Sequence, residues 1–319
     1  MFPRRPFLFE RRRADALIEG RRAIHSPVGQ RRLSGSCAEE GGLMGGNVVS
    51  PHAIKRPPRG RRPHRQGERR RGWISPLGVF VRWGRFPSAI LGPVKSALVT
   101  GGSSGIGLAI ARALRADGFE LTLVARRPEP LEDAARELGG RAVPANLSDP
   151  DECVRVVAAH AEHHGGMDVL VNSAGIGIGG AFAEQDTKRI ALQLDVNLRA
   201  TMIVTRESLP LLRASRGQIV TLASIAGTIP TPGLAVYGAT KAALIALTSS
   251  LNREEAEHGV RATAISPAFV ATRMTEWTGL PSEEQIQPED IATLVRAILA
   301  LSPRARVPNI VVERLGDTV

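Results

Sequence analysis

The sequence predicts an α/β fold, a parallel sheet doubly wound by helices, in a single domain that starts near residue 94 behind a disordered basic extension. Three observations carry this expectation. From Lys95 onward, short apolar runs alternate with segments of roughly 10–20 residues whose apolar positions recur at helical spacing, the signature of a parallel sheet covered by helices. A glycine-rich turn directly follows the first apolar run. Composition also changes abruptly at Pro93: residues 1–93 hold 20 Lys and Arg against 6 Asp and Glu, a net +14, whereas the remaining 226 residues hold 22 against 25, a net −3.

Taken in order, Ser96 to Thr100 is read as the first strand, followed by a helix with Ile106, Ile110 and Leu114 on one face and Gly118 at its C-terminal end. Leu121 to Ala125, Arg141 to Ala145, Val169 to Asn172, Gln218 to Ala223 and Ala262 to Ser266 supply five further strands. Helices are expected over Asn197 to Leu212, Tyr237 to Glu257 and Pro288 to Leu301, with Cys153 on another. There is no internal repeat. This order resembles a Rossmann-like doubly wound sheet, in which ligands bind beyond the C-terminal strand ends.

The extension reads differently. Its Arg, Pro and Gly clusters, Arg11 to Arg13, Pro57 to Arg62 and Arg69 to Gly72, show no sustained period, which is the pattern of a disordered segment. Arg4-Arg5-Pro6-Phe7-Leu8 is similar to a twin-arginine export signal, but Glu10 and Arg11 to Arg13 stand where an apolar stretch is required. Glu10, Asp15, Glu19, Glu39 and Glu40 spoil the acid-poor pattern of a transit peptide. A polybasic arm binding RNA or anionic membrane is a further reading. The favoured one is that residues 1–93 translate a G+C-rich upstream region, with Val94 standing at a misread GTG start.

A mildly acidic domain gives no reason to expect a basic phosphate-tracking face, so the domain from 94 to 319 is not expected to bind nucleic acid. Two cysteines, Cys37 and Cys153, indicate neither a disulfide framework nor a cysteine metal site, and they fit a reducing, cytoplasmic compartment. No run of 18 apolar residues occurs, so no membrane span is expected.

The chemistry begins at Thr100-Gly101-Gly102-Ser103-Ser104-Gly105-Ile106-Gly107, between strand and helix. Glycines there permit a tight turn, let backbone approach a pyrophosphate, and leave the helix N-terminus open to the anion. Further along stand Asn172-Ser173-Ala174-Gly175, Asp195-Val196-Asn197-Leu198, Ser224 at a strand end, and Tyr237-Gly238-Ala239-Thr240-Lys241. In this order and spacing, over about 180 residues, these motifs resemble the classical short-chain dehydrogenase/reductase family, in its NADP(H)-preferring subgroup. Two departures are mild: Ser173 stands where the family usually has a second Asn, and Ala268 replaces the Gly of the family's Pro-Gly segment, here Ser266 to Thr272.

Elementary chemistry explains the pattern. Tyr237 and Lys241, four residues apart, share one helix face. A phenol with an ordinary pKa near ~10 is a poor base at neutral pH unless cationic neighbours favour the phenolate. Tyr237 is then suited to donate a proton during carbonyl reduction and to remove one during alcohol oxidation, while Ser224 stabilises the same substrate oxygen. The resemblance implies catalytic roles for Asn197, Ser224, Tyr237 and Lys241. It gives Lys241 the nicotinamide ribose hydroxyls and Asn197 a water in the proton relay. It also implies cofactor contacts from Thr100, Gly101, Ser103, Ser104, Gly105, Ile106, Gly107, Asn146, Leu147, Asn172, Ala174, Gly175, Tyr237, Lys241, Pro267, Val270 and Thr272. Homodimers or homotetramers are common among such relatives.

Cofactor choice turns on the end of the second strand. An NAD enzyme places Asp or Glu there, whereas this chain has Ala125 followed by Arg126 and Arg127, guanidinium groups suited to a 2′-phosphate. NADP(H) is therefore expected, against the alternative of a solvated Arg pair. His160 and His164 share a helix face, but the acid next to the first His of a zinc-protease helix is missing, so no metal is expected. Met274 and Trp277 follow the Pro267 segment, either over the substrate or as ordinary packing. The ending Val307-Pro308-Asn309-Ile310-Val311-Val312-Glu313 looks more like reductases of 3-hydroxy acids and small carbonyls than like 3-oxoacyl-acyl-carrier-protein reductases, which remain the alternative. A non-catalytic NADP(H) sensor or scaffold is the reading from another class; its usual sign, loss of Tyr, Lys or Ser, is absent.

Overall fold

The computed structural model describes residues 94–316; the expectations for residues 1–93 lie outside the described residues. Seven strands form one parallel sheet in the order β3-β2-β1-β4-β5-β6-β7. They are β1 Ser96–Thr100, β2 Glu120–Ala125, β3 Arg141–Pro144, β4 Val169–Asn172, β5 Gln218–Leu222, β6 Arg261–Pro267 and β7 Asn309–Val312. Sequence order reverses between β1 and β4, which pair from Ala97↔Val169 to Thr100↔Asn172. A crevice at such a reversal is where open α/β sheets bind ligands.

Strands buried on both faces need continuous apolar runs, and alternate residues then serve opposite cores. In β1, Ala97 and Val99 enter one core while Leu98 enters the other; in β4, Val169 and Val171 face away from Leu170. The first core is covered by α1 Gly105–Ala116, α2 Pro128–Leu138 and α7 Pro288–Leu299, through Ile110, Leu114, Leu131 and Val295. The second is covered by α3 Pro150–His164 and α5 Ala200–Ser215, through Cys153, Val156, Val204 and Leu212.

Two expectations are corrected. The helix expected to start at Asn197 starts earlier, as α4 Thr187–Gln193, and passes through a wide π turn over Leu194–Arg199 into α5. Asp186 caps that start by accepting from the Arg189 N–H at 2.8 Å, and Asn197 lies inside the helical stretch and not at its beginning. The seventh strand was not expected at all. It is a sheet-edge strand whose residues are only partly buried or exposed, so its sequence lacks the strong apolar run of the central strands. Helix α6, Ala235–Glu254, begins two residues before Tyr237.

Candidate active site

The C-terminal strand ends and the turns after them bring the sequence motifs together. After β1, Gly101 adopts φ +69°, and a side chain on it would lie 2.9 Å from the Ala174 backbone nitrogen. A side chain on Gly107 would lie 2.3 Å from the Gly101 carbonyl oxygen. The loop thus closes only with glycine at these two places. Ser104 is the N-cap residue of α1 but makes no capping bond, so the first N–H groups of that helix are left to face the loop. Thr100 has a different position from that of a ligand-facing group: its hydroxyl donates to the Val171 carbonyl at 3.3 Å and accepts from the Ser173 and Ala174 N–H groups at 3.1 and 3.2 Å. It ties β1 to the start of the Asn172–Gly175 segment. Asn172 likewise points inward, donating to Thr205 Oγ1 at 3.0 Å.

At the end of β2, Arg126 and Arg127 are exposed, and neither guanidinium has an ion-pair or hydrogen-bond partner among the described residues. Ala125 ends the strand without an acid, and Asn146 folds its side-chain oxygen onto the N–H and hydroxyl of Ser148 at 3.3 and 3.0 Å. Leu147 beside it is buried. On the opposite wall, Pro267 and Val270 are buried at the end of β6, and the Thr272 methyl comes within 3.0 Å of where a Gly105 side chain would start. The Pro267–Thr272 segment therefore meets the glycine loop.

Between these walls lie Ser224, Tyr237, Lys241 and Asn197. Ser224 follows β5, and its Oγ accepts from the Ala226 N–H at 3.2 Å, capping a short 3-10 turn. Burial raises the Tyr237 phenol above its ordinary value, and the neighbouring Ser224 hydroxyl works in the opposite direction. Lys241, one turn along α6, is buried, donates to the Leu222 carbonyl at 2.6 Å, and stands 5.6 Å from the Tyr237 ring centre. Desolvation lowers its pKa to about 8. A buried ammonium with one carbonyl partner keeps donors free for a hydroxylated ligand.

Asn197 is fully buried in the π turn. Its Oδ1 accepts from the Ile176 N–H at 2.8 Å, and its Nδ2 donates to the Ile176 carbonyl at 2.9 Å and to Thr240 Oγ1 at 3.2 Å. Thr240 donates in turn to the Tyr237 carbonyl at 2.7 Å. The amide thereby fixes the segment after Gly175 against the first turn of α6. Two residues that motif reading missed join this clamp. Gln193 accepts from the Ile178 N–H at 3.1 Å, and Gln185 donates to the Gly179 carbonyl at 3.0 Å. Gln193 lies four residues before Asn197, on the same helix face, and an amide repeated at that spacing was the available signal. His160 and His164 lie elsewhere, at the opposite end of the sheet.

Comparison with known proteins agrees with this geometry. The family model for short chain dehydrogenase matches residues 95–280. An uncharacterized oxidoreductase of Staphylococcus epidermidis is 40% identical over 207 residues, 63% of this chain and 89% of its own length. One of Staphylococcus aureus is 32% identical over 222 residues, 68% of this chain and 96% of its own. Among solved structures, a short chain dehydrogenase from Burkholderia cenocepacia in complex with NADP is similar with a TM-score of 0.63 at 29% identity, covering 70% of this chain and 98% of that one. An alcohol dehydrogenase from the archaeon Thermococcus sibiricus complexed with 5-hydroxy-NADP gives a TM-score of 0.66 at 29% identity over the same shares. With its parallel sheet, glycine loop and Ser-Tyr-Lys cluster in place, the chain belongs to the short-chain dehydrogenase/reductase family and is an oxidoreductase of that family.

Proposed function

We propose that this protein is an NADP(H)-dependent oxidoreductase acting on a carbonyl or the corresponding secondary alcohol, with Tyr237 as acid and base. The observation that carries the reading is the cluster of Tyr237, Ser224 and Lys241 at the sheet crevice, with Lys241 buried and partnered by a single carbonyl. The residues present fit the dinucleotide. The glycine loop makes a tight turn that side chains on Gly101 or Gly107 would break, and Ser103 and Ile106 flank it. Arg126 and Arg127, unpaired among the described residues and next to Ala125 rather than an acid, suit a 2′-phosphate. Asn146 and Leu147 would border the adenine, Lys241 the nicotinamide ribose, and Val270 and Thr272 the nicotinamide amide. Both named NADP complexes among the similar structures agree with this choice.

When bound, the cofactor supplies or accepts the hydride. The protein's own groups handle the proton. Tyr237 Oη donates it to the substrate oxygen in reduction and takes it back in oxidation. Ser224 Oγ holds that oxygen as charge develops, at a preorganised position set by its bond to the Ala226 N–H. The Lys241 ammonium favours the phenolate that desolvation alone opposes. Asn197 holds the wall and first turn in register, and its backbone turn is where a relay water would be bound.

Small carbonyls and 3-hydroxy acids are the preferred substrates, and a dimer or tetramer acting in the cytoplasm is the proposed form. The domain from residue 94 to 319 suffices for activity. The test is a panel of aldehydes, ketones and 3-hydroxy acids assayed with NADPH, NADH and their oxidised forms. Turnover with NADPH preferred is expected. A protein that binds NADPH yet turns over no member of the panel would instead support a sensor or scaffold role.

A further inference from the structure

The segment after β4 carries a feature that neither the dinucleotide nor the proton relay uses. From Gly175 to Gly180 the chain leaves the sheet and passes the first turn of α6. It is no free loop, because Asn197, Gln193 and Gln185 hold Ile176, Ile178 and Gly179 by their backbone groups, and the Gly180 N–H donates to the Gly233 carbonyl at 2.9 Å. Gly177 lies in the middle of this fixed wall and is exposed. Its φ lies outside the left-handed region, and a side chain there would meet nothing closer than 3.8 Å. Neither backbone strain nor crowding therefore requires glycine. What such a side chain would meet, all at 3.8 Å, is Cδ2 and Cε2 of Tyr237 on one side and Sδ of Met274 on the other.

A carbonyl oxygen held by Tyr237 Oη and Ser224 Oγ would lie beside the Tyr237 ring, so that one of its substituents can pass the ring edge that faces Gly177. The space at that edge is the one Gly177 leaves empty. Its borders are a ring edge, a bare backbone and a thioether, with no charged atom among the three nearest neighbours of the Gly177 position. Met274 is flexible and half-exposed, which suits an apolar group of variable shape. We propose that Gly177 sets the size limit for one substituent of the substrate carbonyl, that this substituent is apolar, and that Met274 is its movable cover. The inference rests on the carbonyl reading above.

The test uses the NADP(H)-loaded full chain, Gly177→Ala and Gly177→Val, and a series of methyl ketones whose second substituent grows from methyl to phenyl and longer alkyl. Gly177→Val should lower kcat/KM for the bulkiest members by about 10- to 200-fold, chiefly through KM, the range a single misfit in an apolar pocket produces. The smallest ketone should change by no more than about twofold. Gly177→Ala should fall between, and NADPH affinity and Tm should stay at wild-type values. Adding Met274→Ala to Gly177→Val should restore part of the bulky activity. Equal losses across the series, or none, would overturn the proposal. Non-reducible amides of matching size, titrated calorimetrically into the NADP⁺-loaded proteins, read the same limit without turnover. If no ketone is reduced, the carbonyl reading fails, and the amides still decide the role of Gly177.

Discussion

The two ends of the parallel sheet carry similar amounts of polar chemistry and put it to opposite uses. At the N-terminal end, Ser96, Thr122, His160, His164 and Asp168 form a closed set. Asp168 accepts from the Ser96 N–H at 2.8 Å, and Ser96 Oγ donates to the Gly166 carbonyl at 2.9 Å. The fully buried His160 bridges Thr122 Oγ1 and the Gly166 carbonyl, each at 3.0 Å, while His164 reaches Thr122 at 3.1 Å and Glu120 at 3.3 Å. At the C-terminal end, by contrast, Arg126 and Arg127 have no partner among the described residues, and Lys241 has one. Buried or clustered polar groups thus mark a ligand site when their bonding is incomplete, and mark structure when it is complete.

The largest effect should come from breaking the open end at its proton carrier. Tyr237→Phe removes only the hydroxyl, so turnover should fall by roughly 10²–10⁴ while NADPH affinity is retained. Lys241→Ala should impair both, read by steady-state kinetics and fluorescence titration of NADPH. Near-normal turnover in Tyr237→Phe would remove the acid–base assignment. Next comes the phosphate corner. Loss of a charge-assisted contact at Arg126 should weaken NADPH by roughly 10- to 150-fold, and adding Ala125→Asp should turn preference toward NADH. A wild type that already prefers NADH would refute the cofactor choice.

The closed end is sharpened by pH. Burial first, and the neighbouring His164 second, lower the His160 pKa from 6.5 to about 4, so the folded protein holds it neutral where the unfolded chain takes up a proton. Stability contributed by neutral His160 is complete above about 6.5 and is lost as pH falls from there toward 4, on the order of 3 kcal/mol over the window. His160→Gln should flatten that part of the denaturation profile without altering NADPH affinity at pH 7.5. An unchanged acid slope would show that His160 is not the group responsible. The smallest effect is expected outside both ends: a chain begun at residue 94, with Met in that place, should keep turnover and Tm. An insoluble or inactive product would give residues 1–93 a part in the fold.

Much of this was legible in the residues. Six strands lie within a residue or two of their expected bounds: the five central ones are apolar on both faces, and the edge strand β3 is marked by Gly140 before it and Pro144 at its end. The edge strand β7 was missed because Ile310, Val311 and Val312 are only half-covered and carry no long run. The glycine loop and Tyr237-x-x-x-Lys241 were visible because their spacing is local. The clamp of Gln185, Gln193 and Asn197 was legible only in part: Asn197 belongs to a motif and Gln193 repeats its amide four residues earlier, but their partners are backbone groups of residues 176 to 179, which leave no mark in a sequence. Thr100 and Asn172 show another limit: motif membership implies ligand contact, whereas what the structure adds is that their side chains hydrogen-bond the fold.

Trp277 packs edge-on against Phe269 at 6.2 Å and stays largely exposed, three residues after Met274. It is the only tryptophan between residues 94 and 319, and Tyr237 is the only tyrosine in the whole chain. The protein therefore carries its own pair of optical probes at the place where they are most useful. Ultraviolet difference titration would follow a single phenol, so the ionisation of the proposed acid–base group could be recorded directly rather than inferred from rates. In a chain begun at residue 94, intrinsic emission would come from one indole beside the cleft, close enough to report nicotinamide binding by energy transfer, with no label attached.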